Sequence, residues 1–170
     1  MKTFHRVLSG IGISLLLLSA YPANSGEPPT QKAQLAKDRQ IEHGRYLVKI
    51  TGCNDCHTPG YTQNGGKIAE KDWLIGDSLG WRGPWGTTYA SNLRMYINAL
   101  SENDWVNTAH SAEFRPPMPW FALHDMTKPD LRAIYRFVKQ LGPAGTAAPS
   151  SLPPDQEPKG PYVLFPQPPK

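Results

Sequence analysis

The two cysteines of this 170-residue chain, Cys53 and Cys56, stand two residues apart and are followed at once by His57. That cluster, Cys-Asn-Asp-Cys-His, limits the folds open to the chain more than any other feature. Two thiols so spaced lie on one turn of chain, where they reach the two vinyl groups of a single haem and form thioethers, and the adjacent imidazole is carried under the iron. Two cysteines and five histidines scattered at random over this length would give the pattern about once in three thousand trials, so the spacing is informative. The sequence therefore predicts one covalent haem c, with Cys53 and Cys56 as attachment points. His57 is the expected proximal ligand, its second ring nitrogen donating to a carbonyl that fixes the ring.

Three other chemistries use paired cysteines. A structural zinc site takes four ligands, commonly two such pairs, and the chain has no second pair. A thioredoxin-like redox pair follows a strand in a parallel sheet, whereas here the preceding segment has helical spacing. A disulfide between these two residues would close a loop too small to constrain the unfolded chain much.

The sixth iron ligand must come from downstream, where Met95, Met118, Met126, His110 and His124 are the candidates. Met118 lies in Arg115-Pro-Pro-Met-Pro-Trp120, where flanking prolines forbid helix and sheet and stiffen the backbone, which suits a thioether that must meet iron at one point. Met95 reads as packing, and Met126 as a core residue before the last helix. His110 and His124 have ordinary surface or half-buried roles open to them.

Helical periodicity extends from Thr30 to Thr51, with Leu35, Ile41, Leu47, Val48 and Ile50 at roughly helical spacing and charged residues between them. Ser101-Glu-Asn-Asp104 and Thr127-Lys-Pro-Asp130 each place a hydroxyl three residues ahead of an acid, the pattern that satisfies free amides at a helix start. They predict helices over about 102–111 and from Thr127 to Leu141, the second ended by Gly142. Residues 58–92 are rich in glycine and tryptophan and predict a long ordered loop wrapped around something. Nine of the 29 residues from Gly142 onward are proline, which excludes helix and central strand. This tail is either a solvated linker or, through Tyr162, Val163, Leu164 and Phe165, a strap docked on the domain.

Lys2, His5 and Arg6 precede an apolar run from Val7 to Ala20 and then small residues, the layout of a secretory leader. The run is shorter than the roughly 20 residues of a membrane span, so membrane attachment is expected only if this segment is retained. The expected organisation is a signal peptide over 1–25, a haem domain over 26–141 and an extended tail over 142–170, in a protein that works outside the cytoplasm. Without Lys2 and Arg6, sixteen basic side chains face fourteen acidic ones. That balance offers no stripe for neutralising phosphates, so nucleic acid is not an expected partner.

The pairing of Cys53-x-x-Cys56-His57 with Pro117-Met118-Pro119-Trp120 and with Met126-Thr127-Lys128-Pro129-Asp130-Leu131-Arg132-Ala133-Ile134-Tyr135 resembles the single-haem class I cytochromes c of bacterial periplasms, over about residues 40–141. The resemblance implies an all-α fold in which the helix before the haem motif crosses the last helix, a small residue such as Gly44 facing an aromatic such as Tyr135. It implies His57 and Met118 as axial ligands and the periplasm as the compartment. It also implies that Gly83-Pro84-Trp85-Gly86 and Tyr89-Ala-Ser-Asn92 line the haem edge, with Trp85, Tyr89 and Asn92 as haem contacts and Pro84 supplying the carbonyl for His57. The segment Asn92-Leu-Arg-Met-Tyr departs from the family's usual Asn-Leu/Ile-Thr-Pro-Asp. Packing alone accounts for at least two of Trp73, Trp81, Trp85 and Trp105.

Iron held by a histidine and a thioether has no open position, so the expected function is one-electron transfer between redox partners such as a dehydrogenase, an oxidase or another cytochrome, without catalysis. Two alternatives remain open from sequence. One is a cytochrome subunit docked on a periplasmic dehydrogenase or oxidase, its tail serving as the arm. The other is a haem enzyme or gas-binding protein with an open sixth position.

Overall fold

A computed structural model describes residues 30–166. The expected leader over 1–25 lies outside them, and no helix among the described residues is long and apolar enough to cross a membrane. Helix α1 (Gln31–Ile50) runs directly into the short helix α2 (Cys53–His57), which carries the cysteine motif. A strand pair follows, β1 (Gly80–Gly83) and β2 (Gly86–Tyr89), then helices α3 (Leu93–Asn98), α4 (Glu102–Ser111), α5 (Trp120–Asp125) and α6 (Lys128–Leu141), and finally strand β3 (Tyr162–Leu164).

Local chemistry sets the boundaries of α4 and α6. The Ser101 hydroxyl accepts from the Asp104 N–H at 3.1 Å, and the Thr127 hydroxyl from the Asp130 N–H at 3.3 Å. Each cap replaces a bond that the first turn of a helix cannot make for itself. From α6, Leu131, Ala133, Ile134, Phe137 and Val138 are buried. They meet Ile41, Gly44, Leu47 and Val48 of α1. Leu35 and Ile50, counted in the helical spacing of this segment, are exposed. The two helices cross where Gly44 stands against the backbone of Ala133 and the Cβ of Phe137. Tyr135, the expected aromatic opposite Gly44, instead donates its hydroxyl to the Leu100 carbonyl at 2.9 Å. His43 Nε2 and Asp130 Oδ1, 2.7 Å apart, tie α1 to the start of α6.

The fold is not all-α. Six helices are joined by a three-stranded mixed sheet in the order β2-β1-β3. Strands β1 and β2 form an antiparallel hairpin in register Gly80↔Tyr89 to Gly83↔Gly86, turning at Pro84-Trp85. Strand β3 lies parallel to β1, Trp81 pairing with Val163. Two effects hid the sheet. The hairpin strands are four residues each, and five of the eight are glycine or threonine, which masks alternation. The third strand arrives from about 80 residues away, and such pairing leaves no local trace.

The proline-rich tail is a strap laid on its own domain. Leu152 and Thr87 exchange backbone hydrogen bonds at 2.9 and 3.0 Å, and the Phe165 N–H donates to the Arg82 carbonyl at 2.7 Å. The Arg82 guanidinium donates to the carbonyls of Pro154 and Gln156. Phe165 packs on Trp85 and Trp81, with ring centroids 5.2 and 6.1 Å away. At Gly86 a Cβ would sit 2.2 Å from the Leu152 carbonyl oxygen, so the absence of a side chain there lets the strap lie this close. Tyr162, Val163 and Leu164 are exposed, and the strap is held by backbone pairing and Phe165 rather than by that cluster as a whole.

Candidate functional site

The end of α1, the whole of α2, the hairpin, α3, the segment from Phe114 to Pro119 and the inner face of α6 enclose one cavity of about 430 Å³. That lies within the 300–1,000 Å³ range of small-molecule sites. Its walls are mostly apolar, with Val48, Leu74, Ile97, Leu123, Ile134 and Val138 contributing. Cys53, Cys56, His57 and Met118, which are distributed over more than sixty residues of sequence, all face it.

Both cysteines are free thiols. Burial pushes the Cys53 thiol above its ordinary pKa, against a smaller lowering effect of the Thr51 hydroxyl 3.4 Å from its sulfur. Burial, reinforced by the carboxylate of Asp55, does the same for Cys56. The pair is thus held neutral. His57 is buried, which lowers its pKa, and a hydrogen bond to the Ser91 carbonyl partly opposes the shift. The geometry settles the tautomer. A carbonyl oxygen only accepts, so Nδ1, 2.7 Å from Ser91 O, carries the proton, and Nε2 keeps its lone pair. Nε2 has no hydrogen-bond partner among the described residues. A neutral imidazole oriented through Nδ1 is what a metal requires of a histidine ligand.

The polypeptide behind the motif is tightly tied. Asn54, fully buried between the cysteines, accepts from the Thr58 hydroxyl at 2.7 Å, and that hydroxyl in turn accepts from the Leu74 N–H at 2.8 Å. Leu74, on the cavity wall, has φ 62°, a conformation that costs a leucine about 1–3 kcal/mol. Its carbonyl accepts from the Arg94 N–H, so the strained residue is pinned on both sides. Thr58→Val keeps the shape and removes the relay, leaving a buried N–H unpaired. Chemical denaturation of the variant should show a loss of about 1–3 kcal/mol, and an unchanged midpoint would refute this role.

The candidate ligands divide cleanly. Met118 and Met126 both reach the cavity wall. Met118 lies in a turn whose N–H donates to the Arg115 carbonyl at 3.2 Å and whose carbonyl accepts from Trp120, and α5 begins two residues on. Met126 lies at the α5–α6 junction with its carbonyl engaged by His110 Nε2 at 2.9 Å. His124 Nε2 lies 3.1 Å from the Ala112 carbonyl. Neither histidine faces the cavity. Met95 is on α3 and 44% exposed, so it is neither a cavity residue nor the packing residue expected.

Of Pro84, Trp85, Tyr89 and Asn92, the residues singled out by the resemblance, only Tyr89 lines the cavity; its neighbours Ala90 and Ser91 line it too. Pro84 is exposed at the hairpin tip, and the carbonyl holding His57 belongs to Ser91. Trp85 packs against Phe165 and donates its indole N–H to the Trp81 carbonyl. Asn92 is buried and structural: its Oδ1 caps α3 at the Met95 N–H, and its Nδ2 donates to the strap carbonyls of Ala144 and Thr146. Trp73 and Trp105 are buried, with their indole N–H groups on the carbonyls of Ile68 and Leu131. Sequence reading missed Trp81, Tyr96, Phe114 and Arg115 as cavity residues, and Leu74 and Ser91 as its supports. Only the tryptophan and the arginine carried a residue-type signal.

Comparison with protein-family models, curated proteins and solved structures finds no match for this chain. The fit of a haem is therefore judged on the donor set. Two neutral thiols two residues apart, a neutral imidazole and a thioether line one apolar cavity, and Thr88, whose buried Oγ1 has no partner, lines it too. Among the described residues, no three His, Cys, Asp or Glu side chains converge as a metal-binding group. A porphyrin brings four nitrogens of its own and asks only two axial ligands of the protein, so the residues present fit it.

Proposed function

We propose that the chain is a single-haem c-type electron carrier, exported to the periplasm, that passes one electron at a time between redox partner proteins. One observation carries the reading: Cys53, Cys56, His57 and Met118 face a single apolar cavity, with the His57 imidazole already fixed in the ligating tautomer. Cys53 and Cys56 would hold the haem through thioethers, and His57 Nε2 and the Met118 sulfur would be its axial ligands. Bound in this way, the haem supplies a reversible one-electron Fe(III)/Fe(II) couple.

The remaining work is done by the chain. Ser91 holds the His57 ring so that its lone pair does not turn away when the metal charge changes. Leu74, Ile97 and Val138 exclude water and provide a low-dielectric wall, which disfavours the extra positive charge of the oxidised state. A thioether favours the reduced metal, so Met118 and the apolar wall act in the same direction. With His57 and Met118 both holding the iron, neither substrate nor gas would have a place to bind on it. The tail, which a docked-subunit reading would use as its arm, is engaged with the hairpin of its own chain.

Two substitutions test the ligand set. Met118→Ala in the haem-loaded protein is expected to abolish the weak far-red absorption of a sulfur–ferric bond, lower the potential and open the reduced protein to rapid carbon monoxide binding. Met126→Ala should leave all three near wild type. The reverse pattern would reassign the ligand, and rapid stoichiometric carbon monoxide binding to the wild type would overturn the carrier reading.

A further inference from the structure

The group that orients His57 is itself held from outside the cavity. The Ser91 carbonyl, 2.7 Å from His57 Nδ1, belongs to the planar peptide unit that Ser91 shares with the N and Cα of Asn92. Whatever fixes Asn92 therefore aims that oxygen. On one side the segment rests against a glycine: at Gly76 a Cβ would sit 2.8 Å from Asn92 N and 3.0 Å from the Ala90 carbonyl oxygen. The Gly76 N–H donates to the His57 main-chain carbonyl at 2.9 Å, and the Asp77 N–H to the Ala90 carbonyl at 3.1 Å. The main chain and the ring of His57 are thus both tied to the segment 90–92.

On its other side the segment is clamped by the turn that follows α6. Asn92 is buried, and its Nδ2 donates to the carbonyls of Ala144 at 2.8 Å and Thr146 at 3.0 Å. Two residues on, the buried Arg94 donates through Nε to the Gly142 carbonyl at 2.6 Å and through Nη2 to that of Leu141. Two side chains at the start of α3 thereby hold four carbonyls of the turn 141–146. Gly145 lets the turn come this close: its φ is 71°, and a Cβ there would stand 3.0 Å from the Ile75 Cβ and 3.1 Å from Asn92 Nδ2. Capping α3 needs only the Oδ1 of Asn92, which accepts from the Met95 N–H, and a serine hydroxyl caps as well. The two bonds from Nδ2 exceed what the cap requires.

We infer that Asn92 is a positioning residue for the proximal ligand, and that the turn 141–146, by holding its amide, sets the strength of the hydrogen bond from His57 Nδ1 to Ser91 and with it the reduction potential of the bound cofactor. The inference rests on the haem reading, which makes His57 Nε2 a ligand. A short bond from Nδ1–H leaves the ring more electron-rich and Nε2 a stronger donor, which favours the higher oxidation state of a metal. With Asn92 released, the peptide unit it shares with Ser91 is free to swing, the bond lengthens and the donor weakens. The reduced state then gains. None of residues 141–146 lines the cavity, so the beginning of the tail acts on the cofactor only through Asn92, Ser91 and His57.

The test uses the full-length, haem-loaded protein, a redox titration and the NMR signal of the His57 Nδ1 proton in the reduced state, which moves upfield as its hydrogen bond lengthens. Asn92→Ser keeps a cap for α3 and removes both bonds to the turn. Gly145→Ala leaves Asn92 intact and disturbs the turn from the opposite side. Each is expected to shift the Fe(III)/Fe(II) equilibrium roughly threefold toward the reduced state, a rise of about 30 mV for a one-electron couple, and to move the proton upfield. The far-red methionine absorption should persist in both. A merely structural role would lower the melting temperature and leave potential and proton signal at wild-type values, which overturns the inference. A shift in Asn92→Ser with none in Gly145→Ala also overturns it, because the effect would then lie in the α3 cap rather than in the turn. If Asn92→Ser does not fold, Gly145→Ala decides by the same two readouts. A wild type that carries no covalent haem overturns the functional reading and the inference together, whereas a haem-loaded wild type whose potential both variants share overturns the inference alone.

Discussion

Replacing both Cys53 and Cys56 with serine is expected to leave the chain without covalently held pigment and without a stable fold. Expressed beside a c-type maturation apparatus, the wild type should keep its colour in the protein precipitate after extraction with acidified organic solvent. The double variant should lose all of it to the solvent phase, and each single variant should retain one thioether. The consequence for folding follows from the size of the cavity. Left unfilled, this partly open pocket of some 430 Å³ keeps its mostly apolar walls in contact with water, which forfeits burial worth several kcal/mol, at roughly 25 cal/mol per Å². A whole domain has only about 5–15 kcal/mol to lose. The serine variant should therefore show no cooperative thermal transition and no near-ultraviolet dichroism from Trp73 and Trp105, whose rings are held in the core. A wild type whose colour extracts completely would sink the assignment. A colourless variant with a sharp, native-like melt would sink the argument that the cofactor is the centre of the core.

What the sequence made legible was chemistry written in residue types at short range. The cysteine motif lines one apolar cavity, and the Ser101 and Thr127 caps open the helices Glu102–Ser111 and Lys128–Leu141 where the hydroxyl-to-acid spacing placed them. What stayed hidden was written in backbone atoms or over long separations. The acceptor for His57 is a main-chain carbonyl, which every residue has, so nothing distinguished Ser91 from Pro84 in advance. Strand β3 pairs with β1 across about 80 residues, and the all-α expectation failed at that point. Asn92 shows a subtler limit. A buried asparagine beside an apolar cavity invites a ligand role, yet both of its polar atoms are committed to α3 and the strap. Arg94, one residue into the departure from the family pattern, is buried and donates to the carbonyls of Lys71, Leu141 and Gly142. It anchors the end of α6, where a cation meets the negative pole of the helix dipole.

The second large effect is expected far from any ligand. At Gly44 a Cβ would stand 2.0 Å from the Ala133 carbonyl oxygen, 2.5 Å from its carbon and 2.9 Å from the Phe137 Cβ. The first two are backbone atoms of α6 and cannot rotate away, so Gly44→Ala must push the helices apart by more than an ångström. Better helix propensity returns about 1 kcal/mol at most, whereas overpacking a close helix crossing costs about 1–3 kcal/mol and more when the obstacle is rigid. The crossing also sets the site: α1 delivers Cys53 and His57 through α2, while Ile134 and Val138 of α6 form the opposite wall. Gly44→Ala should lower the melting temperature of the holoprotein by about 10 °C or more, and Gly44→Val should prevent haem from being attached during maturation. Because the clash is with the backbone, Ala133→Gly in the same chain should not restore stability. Rescue by that second substitution would mean that side chains, not the α6 main chain, set the distance between the helices.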